Sequence, residues 1–253
     1  MNKSLVLVIL FIGIACTNSY GQFPYEKYPA IKYKEYSSWK EVDTVKTSDF
    51  PTRYIEVPTF FDKGESLGIK LTTYSGQSDS SFISIYKAGK LLQRKFEPMD
   101  FYYFDDPLYI ADINGDGWND IKLIVYYGGN GLAALNVKVI YLFQSSSQTF
   151  EKISYTDMMG GDYLGDYRLE RDLNGDKNFE IITMDLQGYQ NHNYWTFNIY
   201  NYVKGTLINV NDKYNYPIMI QHLYRDNYKI TDKISRKTMK QFSLPLPFGF
   251  DRR

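Results

Sequence analysis

Two stretches decide how this chain reads: Asp112-Ile-Asn114-Gly-Asp116-Gly-Trp118-Asn-Asp120 and Asp172-Leu-Asn174-Gly-Asp176-Lys-Asn178-Phe-Glu180. Both follow the pattern D-x-N-G-D-x-x-x-[DE], and they begin 60 residues apart, at 112 and 172. Oxygen-bearing side chains on alternate residues of a tight loop can converge on one point. Such a set suits a hard cation such as Ca²⁺, which takes about six to eight oxygen ligands. In the first loop the predicted ligands are the side chains of Asp112, Asn114, Asp116 and Asp120 with the backbone carbonyl of Trp118. In the second they are Asp172, Asn174, Asp176 and Glu180 with the carbonyl of Asn178. Gly115 and Gly117 permit the left-handed backbone that so sharp a turn needs. Lys177 replaces the second of these glycines in the second loop and Arg171 precedes it, so that site is expected to be the weaker.

The flanks exclude an EF-hand, which needs a bidentate Glu at loop position 12 and a helix on either side. Position 12 is Leu123 in one loop and Thr183 in the other. The runs Leu108-Tyr-Ile-Ala111, Ile121-Lys-Leu-Ile-Val-Tyr-Tyr127 and Ile181-Ile-Thr-Met184 are short, β-branched and aromatic, as strands are. Each loop is therefore expected to join strand to strand. An ordinary Asp/Asn/Gly turn without metal is the alternative, and two copies in register count against it.

The repeat reaches beyond the acids. At an offset of 60, Ile121-Lys-Leu-Ile falls on Ile181-Ile-Thr-Met, and Val137-Lys-Val-Ile-Tyr141 falls on Phe197-Asn-Ile-Tyr-Asn201. At an offset of 52, Gly68-Ile-Lys-Leu-Thr-Thr-Tyr-Ser-Gly76 matches Asp120-Ile-Lys-Leu-Ile-Val-Tyr-Tyr-Gly128. The loop of that upstream unit, Phe60-Phe-Asp62-Lys-Gly-Glu65-Ser-Leu-Gly68, has lost most of its oxygens. Phe82-Ile-Ser-Ile-Tyr86 and the turn Ala88-Gly-Lys90 complete it as a hairpin. The fold class is therefore all-β, built of antiparallel meander repeats and propeller-like. About three units are visible, near 60–98, 108–156 and 168–210, with a C-terminal extension over 211–253.

D-x-N-G-D-G-x-x-D followed by an apolar strand resembles the FG-GAP/VCBS repeat of calcium-loop β-propellers. The resemblance covers roughly residues 60–210 and implies metal ligation by Asp112, Asn114, Asp116 and Asp120, and by Asp172, Asn174, Asp176 and Glu180. Propellers close with about four to eight blades, so three units imply an open or incomplete propeller. Residues 22–58 and 211–253 are left to supply a fourth blade or to cap the arc. In length, leader and loop type the chain is also similar to small periplasmic inhibitors of lysozyme-like effectors, which act as immunity proteins. That resemblance implies a protein partner.

The chain has 253 residues, enough for one sizeable β domain, and 29 basic against 29 acidic residues, which gives no electrostatic case for nucleic acid. The basic residues between Lys229 and Arg253 read as a solvated face. Residues 1–21 read as a signal peptide, with Lys3 ahead of the apolar run Leu5–Ala15 and cleavage after Ser19-Tyr-Gly21, leaving 22–253 as the domain. The rival is a lipoprotein signal at Ala15-Cys16 with Cys16 lipidated, the one route to a membrane. Either leader implies export, to the periplasm, the outer membrane or the medium. Cys16 is the only cysteine, so the mature chain has no disulfide, and Ca²⁺ is a reasonable substitute staple.

No nucleophile–base pair surrounds His192 or His222, and Gly128-Gly-Asn-Gly131 lacks a phosphate loop's strand–turn–helix context, so an enzyme is not expected. Asp105, Asp106, Asp162 and Asp166 read as turn residues or extra calcium ligands sooner than as a hydrolytic pair. Binding is the expected role. The loops Gly128–Asn136, Gly188–Trp195 and Ser75–Ser81 should emerge on one edge. The second carries Tyr189, His192, Tyr194 and Trp195 as candidate contact residues, although core packing suits Trp195 at least as well. The partner is then an exported hydrolase or a surface protein, with a glycan on the Tyr/Trp-rich loops as the alternative.

Overall fold

The computed structural model describes residues 25–42, 52–74, 80–101, 104, 106–127, 130–145, 149–158, 170–222 and 234–253. The leader with Cys16, the loop residues 75–79, Asp105, Gly128, Asp162, Asp166, Lys229 and Lys233 lie outside them. Fourteen strands run through the described residues: β1 (Lys34–Tyr36), β2 (Lys40–Val42), β3 (Thr52–Val57), β4 (Leu67–Tyr74), β5 (Ser80–Lys87), β6 (Lys90–Glu97), β7 (Leu108–Ala111), β8 (Asp120–Tyr126), β9 (Val137–Gln144), β10 (Phe150–Asp157), β11 (Ile181–Tyr189), β12 (His192–Val203), β13 (Thr206–Asn209) and β14 (Ile218–His222). They form three sheets, ordered β2-β3-β4-β5-β6, β1-β7-β8-β9-β10 and β11-β12-β13, with β14 also paired to β12. Every pairing is antiparallel. The fold is the all-β meander that the sequence implies.

Three hairpins close through two-residue turns with both φ angles positive: Ala88-Gly89 (46° and 76°), Gln190-Asn191 (47° and 62°) and Lys204-Gly205 (47° and 79°). Such turns carry the right-handed twist of the flanking strands. The middle one is a correction. The aromatic stretch Gly188–Trp195 is not a long loop but the tip of the β11–β12 hairpin, with Tyr189 paired to His192 and Gly188 to Asn193. Only the Gly in the other two turns advertises the bend, and Gln190-Asn191 has none.

Register sets the two acidic loops at corresponding pairs. Ala111 pairs with Asp120, and Arg171 bridges to Glu180, the same pair 60 residues on. In the next strands Ile121 lies opposite Leu142 but Ile181 lies opposite Tyr200, so the offset there is 58 rather than 60. The slip is even, and an even slip keeps every side chain on its own face. In the first sheet Glu56 pairs with Gly68, so Gly68 holds the slot of Asp120 and Glu180.

The sheets stack face to face. One core cluster joins Ile55, Ile69, Leu71, Ile83 and Ile85 of the first sheet to Ile121, Leu123, Val125, Ile140 and Leu142 of the second. The opposite face of the second sheet (Val139, Tyr141, Phe143, Ile153, Tyr155) packs on Ile181, Tyr200 and Leu207 of the third. The outer face of the third sheet is covered by Tyr25, Met158, Val210 and Tyr216. The middle sheet is thus apolar on both faces, which explains why β9 is buried from end to end.

A single segment laces all three sheets. Ile31 N–H donates to Glu170 O (2.9 Å) and Ala30 bridges Arg171 beside the third sheet. Then β1 pairs with β7 of the second sheet and β2 joins the first. On the far edge of the second sheet, Ser154 and Asp251 exchange backbone bonds of 2.7 and 2.8 Å and Thr156 N–H donates to Phe248 O. Residues 211–253 therefore do not make a further sheet among the described residues. They supply β14 to the third sheet and cover the edge of β10. No helix of the described residues is long and apolar enough to cross a membrane.

Candidate functional site

Each acidic loop opens from an inner strand position and closes at the pair described above, and the two loops are built alike. In the first, Asp112 Oδ1 accepts from Asp116 N–H (3.1 Å) and Oδ2 from Gly117 N–H (2.9 Å). Asn114 Oδ1 also accepts from Asp116 N–H, its Nδ2 donates to Asp116 Oδ2 (3.0 Å), and Asp116 Oδ1 accepts from Trp118 N–H (2.9 Å). The second loop is closed in the same manner with one donor shifted by a residue: Asp172 accepts from Gly175 and Lys177, Asn174 exchanges bonds with Asp176, and Asp176 accepts from Asn178 N–H. Side-chain oxygens replace the missing turn partners of the backbone, the usual role of Asp and Asn in turns. Lys177 sits at φ +68°, where Gly117 sits at +90°, a left-handed geometry that costs a residue with a Cβ roughly 1–2 kcal/mol.

The ninth position departs from its expected role. Asp120 is fully buried. Its Oδ2 accepts from Ile113 N–H (2.9 Å) and Asn114 N–H (3.4 Å), and its Oδ1 from Gln144 N–H at the end of β9 (2.8 Å). Glu180 is likewise buried, accepting from Leu173 N–H (2.8 Å) and from the Tyr214 hydroxyl (2.6 Å). These acids fasten the loop to the sheet. The loops thus bring Asp112, Asn114 and Asp116 together in one turn, and Asp172, Asn174 and Asp176 in the other, while Asp120 and Glu180 turn inward to the backbone. Among the described residues no group of three or more His, Cys, Asp or Glu is gathered as a metal site.

The donor chemistry fits a hard cation at the first three positions of each loop. Burial pushes the Asp112 carboxyl up, and the Asp116 charge adds to this. Burial also pushes Asp120 up to about 7 and raises Glu180. In the second loop Asn178 Oδ1 is buried and accepts no hydrogen bond among the described residues. A cation bound in the first loop would relieve the raised Asp112 carboxyl and its repulsion by Asp116.

The loops touch each other. Phe179 N–H donates to Ile113 O (2.9 Å), and a Cβ on Gly115 would lie 2.8 Å from the Lys177 carbonyl oxygen. Gly115 is thus required both by its φ of +72° and by its neighbour. Nothing in the sequence announced this contact. The cationic neighbour expected to weaken the second loop, Arg171, is buried and donates to Tyr28 O (3.0 Å).

The candidate partner residues are spread along the β11–β12 hairpin. Tyr194 is buried, and Trp195 packs against the third core with its ring 4.9 Å from His222. Tyr189 meets Phe242 edge-on at 5.9 Å, and His192 approaches Gln221 at 3.4 Å. Beside the first loop lies a cleft of about 430 Å³, with Trp118, Phe143 and Tyr202 against Asn114, Asp116 and Glu151. Tyr202 stacks on Phe143 at 3.6 Å and donates to Glu151 (2.5 Å).

Two buried ionic clusters hold the sheets together, and the sequence reading missed both. Between the first and second sheets, Lys152 Nζ lies 2.8 Å from Glu97 and 3.6 Å from Asp251, with Lys138 3.8 Å from Glu97. Between the second and third, Glu170 accepts from Lys122 (2.6 Å), Tyr33 (2.6 Å) and Tyr141. Burial alone would raise Glu170, but the Lys122 charge and these donors hold it below its ordinary value. The available signal was a lysine inside each of the apolar strands β8, β9 and β10. No family model matches this chain, and no curated protein or solved structure matches it either.

Proposed function

We propose that this protein is a non-catalytic, exported, calcium-binding β-repeat module that binds another protein, of the class of cell-wall hydrolases. The observation that carries the metal reading is the pair of closely similar oxygen-rich turns, packed one against the other. Asp112, Asn114 and Asp116 with the Trp118 carbonyl would hold one cation, and Asp172, Asn174 and Asp176 with the Asn178 carbonyl a second. The ion supplies positive charge and rigidity. The chain's own Asp120 and Glu180 set the loop ends against the sheets, so the stacked scaffold presents its hairpins rigidly.

Calcium titration by calorimetry tests the metal. Asp116→Ala should weaken the stronger site by about tenfold or more, the loss of one charged ligand. Equal affinity in wild type and variant would sink the assignment. Pull-down against purified wall hydrolases, with and without chelator, tests the partner class. A second reading, a glycan-binding module, is favoured by the cleft beside the first loop, where aromatic rings and mixed polar groups meet. Glycan-array binding without hydrolase capture would select it.

A further inference from the structure

A second cleft, of about 240 Å³, opens where β2 joins the first sheet; it is lined by Ser37, Trp39, Lys40, Glu41, Arg53 and Phe104. Its walls are fixed. Trp39 meets Phe104 edge-on at 4.9 Å and donates its indole N–H to Asp106 O (3.2 Å). Arg53 lies on the inward face of β3, in line with the buried Ile55 and Val57. Its Nη1 is buried and has no hydrogen-bond partner among the described residues. Glu41 is its direct cross-strand neighbour, yet no hydrogen bond or ion pair joins the two among the described residues.

We propose that this cleft binds a carboxylate, with Arg53 Nη1 as the principal donor and Lys40 as the second positive charge. A guanidinium N–H buried without an acceptor is costly, so a structural arginine at this position would be expected to have found one. A carboxylate supplies that acceptor in the planar geometry a guanidinium matches best. Among the described residues the lining carries two positive charges and one negative, from Lys40, Arg53 and Glu41. One net positive charge suits a monoanion better than a phosphate carrying roughly −1.5 to −2. Trp39 and Phe104 are left to face the apolar part of whatever bears the acid, whether a small organic acid or an acidic peptide end.

The test is a titration of the full chain with acetate, then with acetyl-glycine, and separately with inorganic phosphate, all at constant ionic strength. Tryptophan fluorescence is the readout, assigned by its loss in Trp39→Phe. A saturable response to acetate is expected, tighter for acetyl-glycine if a peptide end is the source. Arg53→Met should lower affinity about tenfold, the scale of a charged hydrogen bond, and Lys40→Met by a smaller factor. Arg53→Met should also leave the melting temperature of the free protein unchanged or raised, because it removes an unpaired donor. No saturable response, undiminished binding in either variant, or phosphate binding as tight as acetate would overturn the proposal. So would a marked fall in melting temperature in Arg53→Met, which would make the guanidinium a structural partner.

Discussion

The first repeat unit and the second solve one problem in opposite ways. Both must turn the chain between an inner strand and its neighbour and anchor the loop to the sheet beside it. In the second unit, a buried carboxylate, Asp120, collects three backbone N–H groups. In the first, Gly68 holds that slot, and the Tyr54 ring fills the space: a Cβ on Gly68 would meet the Tyr54 hydroxyl at 2.5 Å. The anchoring passes to Phe60 and Phe61, both buried, with ring centroids 6.2 and 6.3 Å from that of Phe150. One loop is held by polar satisfaction and the other by apolar packing. The acids of the second and third units therefore have structural work to do whether or not a cation is present.

The largest effect that could break this comparison is Phe61→Ala, which should cost about 4 kcal/mol in a urea melt, as large-to-small changes in cores do. A loss below about 1 kcal/mol would show that the aromatic plug does not anchor the loop of the first unit. Asp120→Ala should come next, at about 3 kcal/mol in calcium-free buffer, since it strands buried donors. If its whole cost appears only when calcium is present, the carboxylate is a ligand and not an anchor. Gly68→Asp, which returns the acid to the first unit, should cost about 1–2 kcal/mol by overpacking. The double variant with Tyr54→Ala should recover part of that loss, and strict additivity would mean that the ring and the acid do not compete for one space.

The smallest effect supplies a baseline in acid. Burial pushes the Asp251 carboxyl up, but the Arg253 guanidinium and backbone N–H, aided by Lys152, outweigh it and hold it at about 2. Its folded value lies below the ordinary value near 3.9. The stability it contributes is therefore present above about pH 4 and fades as pH falls through 2. That fading should appear equally in wild type and in both loop variants. Asp251→Asn should flatten it, as followed by circular dichroism.

Much of the local order was legible in the sequence because it is local in cause. Asp, Asn and Gly at fixed spacing write their own turns, and Ile121-Lys-Leu-Ile or Ile181-Ile-Thr-Met announce the strands that follow. The even slip from 60 to 58 was hidden because it preserves the side-chain pattern. The hairpin at Gln190-Asn191 was hidden because its left-handed residues lack a glycine. Asp120 was read as a ligand because a sequence shows its oxygens but not the N–H of Gln144, 24 residues away, that claims one of them. Lys122 and Lys152 stood out in apolar strands, yet their partners Glu170 and Glu97 are set only by how the sheets stack.

The segment that laces the three sheets carries a consequence for how the chain matures. Ala30 reaches Arg171, and β1 reaches β7, across more of the sequence than any hairpin spans. The hairpins can close within microseconds, but the segment has nothing to dock on until the second and third units exist. Residues made before the units they dock on are thus among the last to find their place. A folding experiment should see early meanders and a slow final locking step, as contacts of large sequence separation require.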